Sequence, residues 1–263
     1  EIFHARFPID YHGISVEDSL KALNDLFLAD IAPSDVAAII VEPVQGEGGF
    51  YPAPIEFLQA LRTLCDEHGI VMIVDEIQTG FARTGKMFCS EYAGIEADLM
   101  TVAKGMANGF PIAAVVGKAE IMDAALPGGI GGTYAGSPLG CVAGLAMIDV
   151  IEEENLVDSA THVGKVFTRR LEELQAKFPA NIGHLRTSHG AMMAMELVRN
   201  GDAEQPDPEL TKALVGAAYK NGLALLSCGA RGNVIRFLPA LNISDALINE
   251  GMDILEKCLQ DLV

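Results

Sequence analysis

The stretch TVAKGMANGFP (101–111) contains one charge, Lys104, flanked by Ala103 and Gly105 and with no acid within five residues on either side. Lysines ordinarily sit in water, and one held unpaired in low dielectric sheds its proton and becomes a nucleophile. The small and apolar neighbours raise the question of such a setting for Lys104. Upstream, the apolar run IVMIVDE (70–76) reaches an acid at Asp75. In an open α/β sheet, groups at the carboxyl ends of neighbouring strands converge on one crevice, where ligands bind. An acid and a lysine converging there suit pyridoxal phosphate (PLP) chemistry. The lysine forms a Schiff base with the aldehyde, and the carboxylate pairs with the pyridinium nitrogen so that the ring can take up electrons. The plainer alternatives are a Lys104 that snorkels to solvent and an Asp75 that caps a helix or joins a structural ion pair.

A competing motif sits nearby. VMIVDE (71–76) has the apolar-strand-then-acids pattern of a magnesium-binding strand, and GFARTGKM (80–87) approaches the phosphate-cradling G-x-x-x-x-G-K-[ST]. Met87 stands where a hydroxyl is required, the acids precede the glycines, and the first glycine does not directly end a strand. A nucleotide site is set aside on those grounds.

The elements that must position Asp75 and Lys104 follow from periodicity. ISVEDSLKALNDLFLAD (14–30) reads as a helix with Ser15 as N-cap and Asp18 three residues on. DVAAIIVEPV (35–44) reads as a buried strand, and 54–68 as a helix stopped by Gly69. Residues 70–76, 98–103 and 111–118 read as further strands, so a mainly parallel sheet covered by helices on both faces is expected. Helices are expected from Pro138 to about Glu154 and over 157–178. Beyond them, strands at 191–198, 222–228 and 233–240 alternate with helices at 208–221 and 244–262. The acidic NGDAEQPDPE (200–209) reads as an exposed loop. The expected division is 1–156, a large α/β domain, and 157–263, a smaller α+β domain.

Bulk composition narrows the partners. Acids outnumber bases 36 to 18, a formal net charge of −18, which argues against nucleic acid and anionic membranes as partners. No apolar stretch has the length of a membrane span. The five cysteines are scattered with no C-x-x-C pair, consistent with free, buried thiols in the cytoplasm, and the histidines lack zinc-site spacing, so no metal is expected.

Four blocks occur in order: EPVQGEGG (42–49), VDEIQTGFARTG (74–85), TVAKGMANGFP (101–111) and GGTYAGSP (131–138). On these the chain resembles the class III (ω-amino acid) aminotransferases of PLP fold type I, over essentially its whole length. The resemblance implies that Lys104 carries PLP and moves the substrate proton, and that Asp75 partners the pyridine nitrogen. It further implies that Ile77 packs on the ring, that Gln78 bonds the phenolic oxygen, and that Thr133 reaches the cofactor phosphate of a neighbouring subunit. The enzyme would then be a homodimer or dimer of dimers with shared sites. Glu47 is implied to pair with Arg236, and Glu42 to line the substrate side. Plainer roles remain for the glycines 46, 48 and 49 as turn formers, for Thr133 as a cap, and for Arg236 as a surface strand residue.

The implied reaction moves an amino group from an ω-amino acid, with 4-aminobutyrate the expected donor, to 2-oxoglutarate. The alternatives are an ornithine, acetylornithine or diamine donor, or an inactive fragment. Family members are longer at the N-terminus, and residue 1 falls inside their large domain. The part without a counterpart here supplies the phosphate loop, a stacking aromatic ring and an arginine for the distal carboxylate. Ala82 stands where a glycine is usual, and His189 occupies a normally glycine-rich stretch without an assigned role.

Overall fold

The computed structural model describes residues 1–263, and the chain forms two compact units. The first comprises Glu1–Pro43, Ala53–Ala82 and Lys86–Asn155; the second comprises Val44–Pro52, Arg83–Gly85 and Leu156–Val263.

In the first unit, α1 (Val16–Ala29) starts at a capping box in which Ser15 and Asp18 each satisfy the other's backbone amide. Helix α2 (Ile55–His68) stops at Gly69, whose φ of 67° a residue with a Cβ rarely adopts. Strands β1 (Ala38–Val41), β2 (Val71–Asp75), β3 (Leu99–Val102) and β4 (Ala114–Gly117) form one sheet in that order. The first three run parallel, and β4 is antiparallel to β3. Helices α3 (Ala119–Met122) and α4 (Pro138–Glu153) follow. The core packs Phe57, Leu58, Leu61 and Cys65 of α2 together with Met72 and Val74 of β2. Burying each such side chain contributes about 1.5–3 kcal/mol.

The sheet is less covered than its sequence predicts. Strand β1 was expected to be buried, but it is an outer strand and leaves Ile40 62% exposed; Val115 and Val116 of the opposite outer strand are exposed as well. Cys141 likewise departs from the expectation of buried thiols. It lies on α4, whose Leu139, Val142 and Leu145 also face solvent, while the other four cysteines are buried.

The start of β3 is locked. Asp98 accepts hydrogen bonds from the Met72 amide (2.7 Å), Arg62 (2.8 Å) and Lys118 (2.7 Å). Burial raises the Asp98 carboxyl, but these donors outweigh it and bring the pKa down to about 2.

In the second unit, α5 (Leu156–Lys177) precedes a sheet of β5 (Ile182–His189), β6 (Met192–Arg199), β9 (Val234–Phe237) and β8 (Leu226–Cys228), in that order, with β7 (Asp202–Pro206) also paired to β6. Helices α6 (Pro208–Lys220) and α7 (Asp245–Gln260) complete it, α7 capped by Ser244. Strand β6 is buried along seven of its eight residues. Two strands correct the expectation from sequence. Residues 200–209 are not simply a loop: Asn200 and Gly201, both at positive φ, turn the chain so that β7 pairs with β6. Strand β5 is present where none was expected, because Arg186 at its centre finds a buried partner in Glu196 of β6.

Candidate active site

The register of the first sheet sets the site. Asp75, the last residue of β2, stands opposite Thr101 of β3. Paired residues on neighbouring strands face the same side, so Asp75 and Thr101 share a face at the carboxyl edge. Glu42 follows the end of β1 directly, and Lys104 lies two residues past the end of β3. Three parallel strands therefore deliver Glu42, Asp75 and Lys104 to one edge, the edge where open α/β sheets bind ligands.

Local chemistry at that edge is partly unfinished. Asp75 Oδ1 accepts a hydrogen bond from the Ile77 amide at 2.9 Å, which fixes the carboxylate and starts the turn carrying Ile77 and Gln78. Gln78 Oε1 and Thr101 Oγ1 are buried without a hydrogen-bond partner. Buried polar atoms are nearly always bonded, so two orphans beside one carboxylate mark a place built for a polar guest. Thr101 has no assigned role in the sequence reading; its offset of three residues before Lys104 was the available signal.

Lys104 opens a single 3-10 turn, Lys104–Ala107, with φ at 43°. Left-handed backbone in a residue with a Cβ costs roughly 1–2 kcal/mol, a strain that collects at functional positions. Lys104 is exposed, which answers the question that its small and apolar neighbours raise. The residue stands past the strand end beside exposed Gly105, where flanking small residues supply no cover. Thr133 is also exposed, in the stretch 131–137 leading into α4.

The rejected nucleotide motif has a structural explanation. Glu76 is fully buried, and its carboxylate accepts hydrogen bonds from Thr79 Oγ1 and from the amides of Cys89 (3.0 Å) and Ser90 (2.7 Å). Three of its roughly four acceptor positions are thereby committed within the fold. Ala82 has φ at 68°, the conformation in which glycine is comfortable.

In the second unit, Arg236 of β9 donates to Glu47 Oε1 at 2.5 Å. The arginine side chain is 14% exposed and that of Glu47 is 74% exposed. Arg236 Nε is buried with no partner, so the guanidinium retains an unused donor. His189 bonds Ser188 Oγ at 2.7 Å, and burial lowers its pKa.

Residues 2–259 match the family model for aminotransferase class III. The chain is 50% identical to a 5-aminovalerate aminotransferase of Pseudomonas putida and 48% identical to a 4-aminobutyrate aminotransferase of Escherichia coli, in each case over 99% of this chain and 61% of the relative. It thus spans about three fifths of the length of these curated relatives. A transaminase solved in a study of directed evolution by ancestral reconstruction superposes with a TM-score of 0.88 at 31% identity, covering 98% of this chain and 60% of that one. The ornithine aminotransferase of Toxoplasma gondii gives 0.81 at 31% identity, covering 92% and 55%. The chain belongs to the class III aminotransferases.

Proposed function

We propose that this chain carries the Schiff-base lysine and the ring-nitrogen carboxylate of a PLP-dependent ω-amino acid aminotransferase acting with 2-oxoglutarate. The observation that carries the reading is the register of β2 and β3, which brings Asp75 and Lys104 to one edge beside two unpartnered buried polar atoms. Those residues fit the cofactor: Asp75 for the ring nitrogen, Gln78 for the phenolic oxygen, Ile77 for the ring face and Thr133 for a phosphate. PLP, when bound, supplies the electron sink that makes a proton beside the reacting amine removable.

The chain's own residues do the rest. Asp75, held by the Ile77 amide, keeps its carboxylate oriented toward a cationic nitrogen. Lys104 Nζ takes the substrate proton and returns it, as general base and then general acid. Glu42 lines the donor side. Glu47 neutralises Arg236 while an ω-amino donor reacts, and releasing an exposed glutamate costs little. Arg236, with an unused Nε, then takes the α-carboxylate of the 2-oxo acid in two-point fashion.

The relatives act on donors that differ by one methylene, a difference worth about 1–3 kcal/mol in an apolar pocket. We take 4-aminobutyrate as donor, with 5-aminovalerate the second reading. The exposed apolar residues of α4, with Leu126, Ile130 and Tyr134, support association into a homodimer or dimer of dimers with shared sites. No helix is long and apolar enough to cross a membrane. The free cysteines support our reading of a reducing compartment, the cytoplasm. We propose 1–156 and 157–263 as the large and small domains, with 44–52 and 83–85 packed into the second compact unit.

Borohydride reduction of the holoenzyme, followed by peptide mapping, tests the assignment. The label is expected on Lys104. A label on Lys86 or Lys118 would refute it.

A further inference from the structure

The second unit contains a buried ionic cluster that the reaction described above does not use. Arg186 and Glu196 are 3% and 0% exposed, and Arg186 donates to Glu196 Oε2 at 2.7 Å. Tyr51 OH donates to the same oxygen at 2.8 Å, and the Asn233 amide donates to Oε1 at 3.3 Å. The Arg186 guanidinium lies over the Tyr51 ring, 4.1 Å from its centroid, and also donates to His184 Nδ1 at 3.0 Å. Such a cluster is weak ground for stability, because apolar residues of similar volume often do as well. Its placement points elsewhere.

Arg186 Nε donates to the carbonyl of Gly49 at 2.8 Å. Gly49 and Tyr51 belong to the 44–52 segment, which exposes Glu47 and Gly48. The segment closes on itself, with the Gln45 amide on the Tyr51 carbonyl and the Gly49 amide on that of Gly46. The Glu47 carbonyl in turn accepts from the Gly229 amide. Gly49 has φ at 130°, and a Cβ there would meet the Tyr51 ring at 2.7 Å.

Strand register makes the relation explicit. Arg186 of β5 stands opposite Ala194 of β6, and Ala194 stands opposite Arg236 of β9. The two arginines therefore share one face of the sheet, two strands or about 10 Å apart, with an alanine between them that leaves room above. Arg236 holds the carboxylate of Glu47, and Arg186 holds the backbone two residues further on. Glu196, two residues along from Ala194, faces the same way and holds Arg186 in place through its Oε2.

We propose that Arg186, Glu196 and Tyr51 are positioning residues for Glu47, setting how readily it yields Arg236 to a substrate carboxylate and hence the balance between ω-amino and α-amino substrates. This rests on the exchange role assigned to Glu47 and Arg236 above. A loop fixed at Gly49 and Tyr51 keeps Glu47 within reach of Arg236 after each release, so that the neutralised state is restored for the next donor. Loosening that anchor leaves Arg236 open for longer and favours substrates with a carboxylate beside the reacting carbon.

Single-turnover rates of the full-length holoenzyme with 4-aminobutyrate and with glutamate test the role, alongside thermal melting. Tyr51→Phe removes one bond to Glu196 and keeps the ring, whereas Arg186→Lys loses the Nε contact to Gly49. Each is expected to lower the ratio of the 4-aminobutyrate rate to the glutamate rate about fivefold. Combined with Glu47→Gln, each is expected to add little to the shift that Glu47→Gln produces alone, since both act through one carboxylate. If Arg186→Lys does not fold, Tyr51→Phe carries the test. Equal losses in both half-reactions, or shifts that add in full to that of Glu47→Gln, would show a merely structural cluster and overturn the proposal. A Glu47→Gln variant with an unchanged ratio would instead sink the exchange role itself, and the positioning role with it.

Discussion

Asp75 and Asp98 mark opposite ends of the same parallel strands, and they are treated in opposite ways. Asp98 gathers a backbone amide, an arginine and a lysine, and those donors hold its pKa near 2. Asp75 receives one backbone amide and sits beside two orphaned polar atoms and a left-handed lysine. One carboxylate is finished by the fold; the other is left for something the fold does not supply. At the amino end of the sheet the carboxylate is held by three donors, whereas the carboxyl end carries the unpartnered groups on which the proposed function rests.

The largest expected contrast comes from removing charge at each end. In the holoenzyme, Asp75→Asn should slow turnover by two to three decades, about 2–4 kcal/mol, because an amide cannot hold a ring nitrogen protonated. Its melting temperature should scarcely move. Near-normal turnover would make Asp75 a structural acid and erase the difference between the ends. Asp98→Ala should do the reverse, costing about 2–3 kcal/mol in urea unfolding, since Arg62 and the Met72 amide lose their partner. Turnover per folded molecule should be unchanged.

Acid titration sharpens the same comparison by a smaller amount. The Asp98 pKa is lower in the folded protein than in the unfolded chain, so its contribution is complete above about pH 4 and is lost as the pH falls through about 2. The contribution is about 2 kcal/mol, measurable as a fall in urea midpoint between pH 5 and pH 2 that Asp98→Asn abolishes. An unchanged acid slope in that variant would show that the three donors do not act through the Asp98 charge.

The smallest effect is the most diagnostic. Thr101→Val replaces an unbonded buried hydroxyl with a methyl of the same shape, and should stabilise the protein by about 0.5–1 kcal/mol. PLP affinity, followed by absorbance titration, should fall at the same time. A variant that loses stability would show that Thr101 is already satisfied in the folded chain.

Local signals were legible in this sequence, and long-range ones were not. The Ser15–Asp18 box and the Gly69 stop involve residues within a few positions of each other, so the bounds of α1 and α2 follow closely. The edge bearing Asp75 was also legible, because uninterrupted apolar runs announce parallel strands. Strand β5 was missed because Arg186 interrupts its apolar character, and the glutamate that permits a buried arginine lies ten residues away on the next strand. Strand β7 was missed although Asn200–Gly201 is a hairpin signal, its acidic composition having been taken for a loop. The exposure of Lys104 was illegible for a different reason: dielectric depends on what covers a residue, and flanking alanine and glycine cover nothing.

The second unit draws residues from three separate stretches of chain, and this imposes a schedule on synthesis. Tyr51 leaves the ribosome 145 residues before its partner Glu196. Arg83 precedes the carbonyls of Ala191 and Pro239 by 108 and 156 residues. At roughly 5–20 residues per second, a lag of that size is on the order of 5–30 s during which the Glu47 loop has no sheet to rest on. The first unit can assemble on the nascent chain while these two segments hang from it unfinished. Only when β9 emerges does Arg236 arrive to meet a glutamate made 189 residues before it.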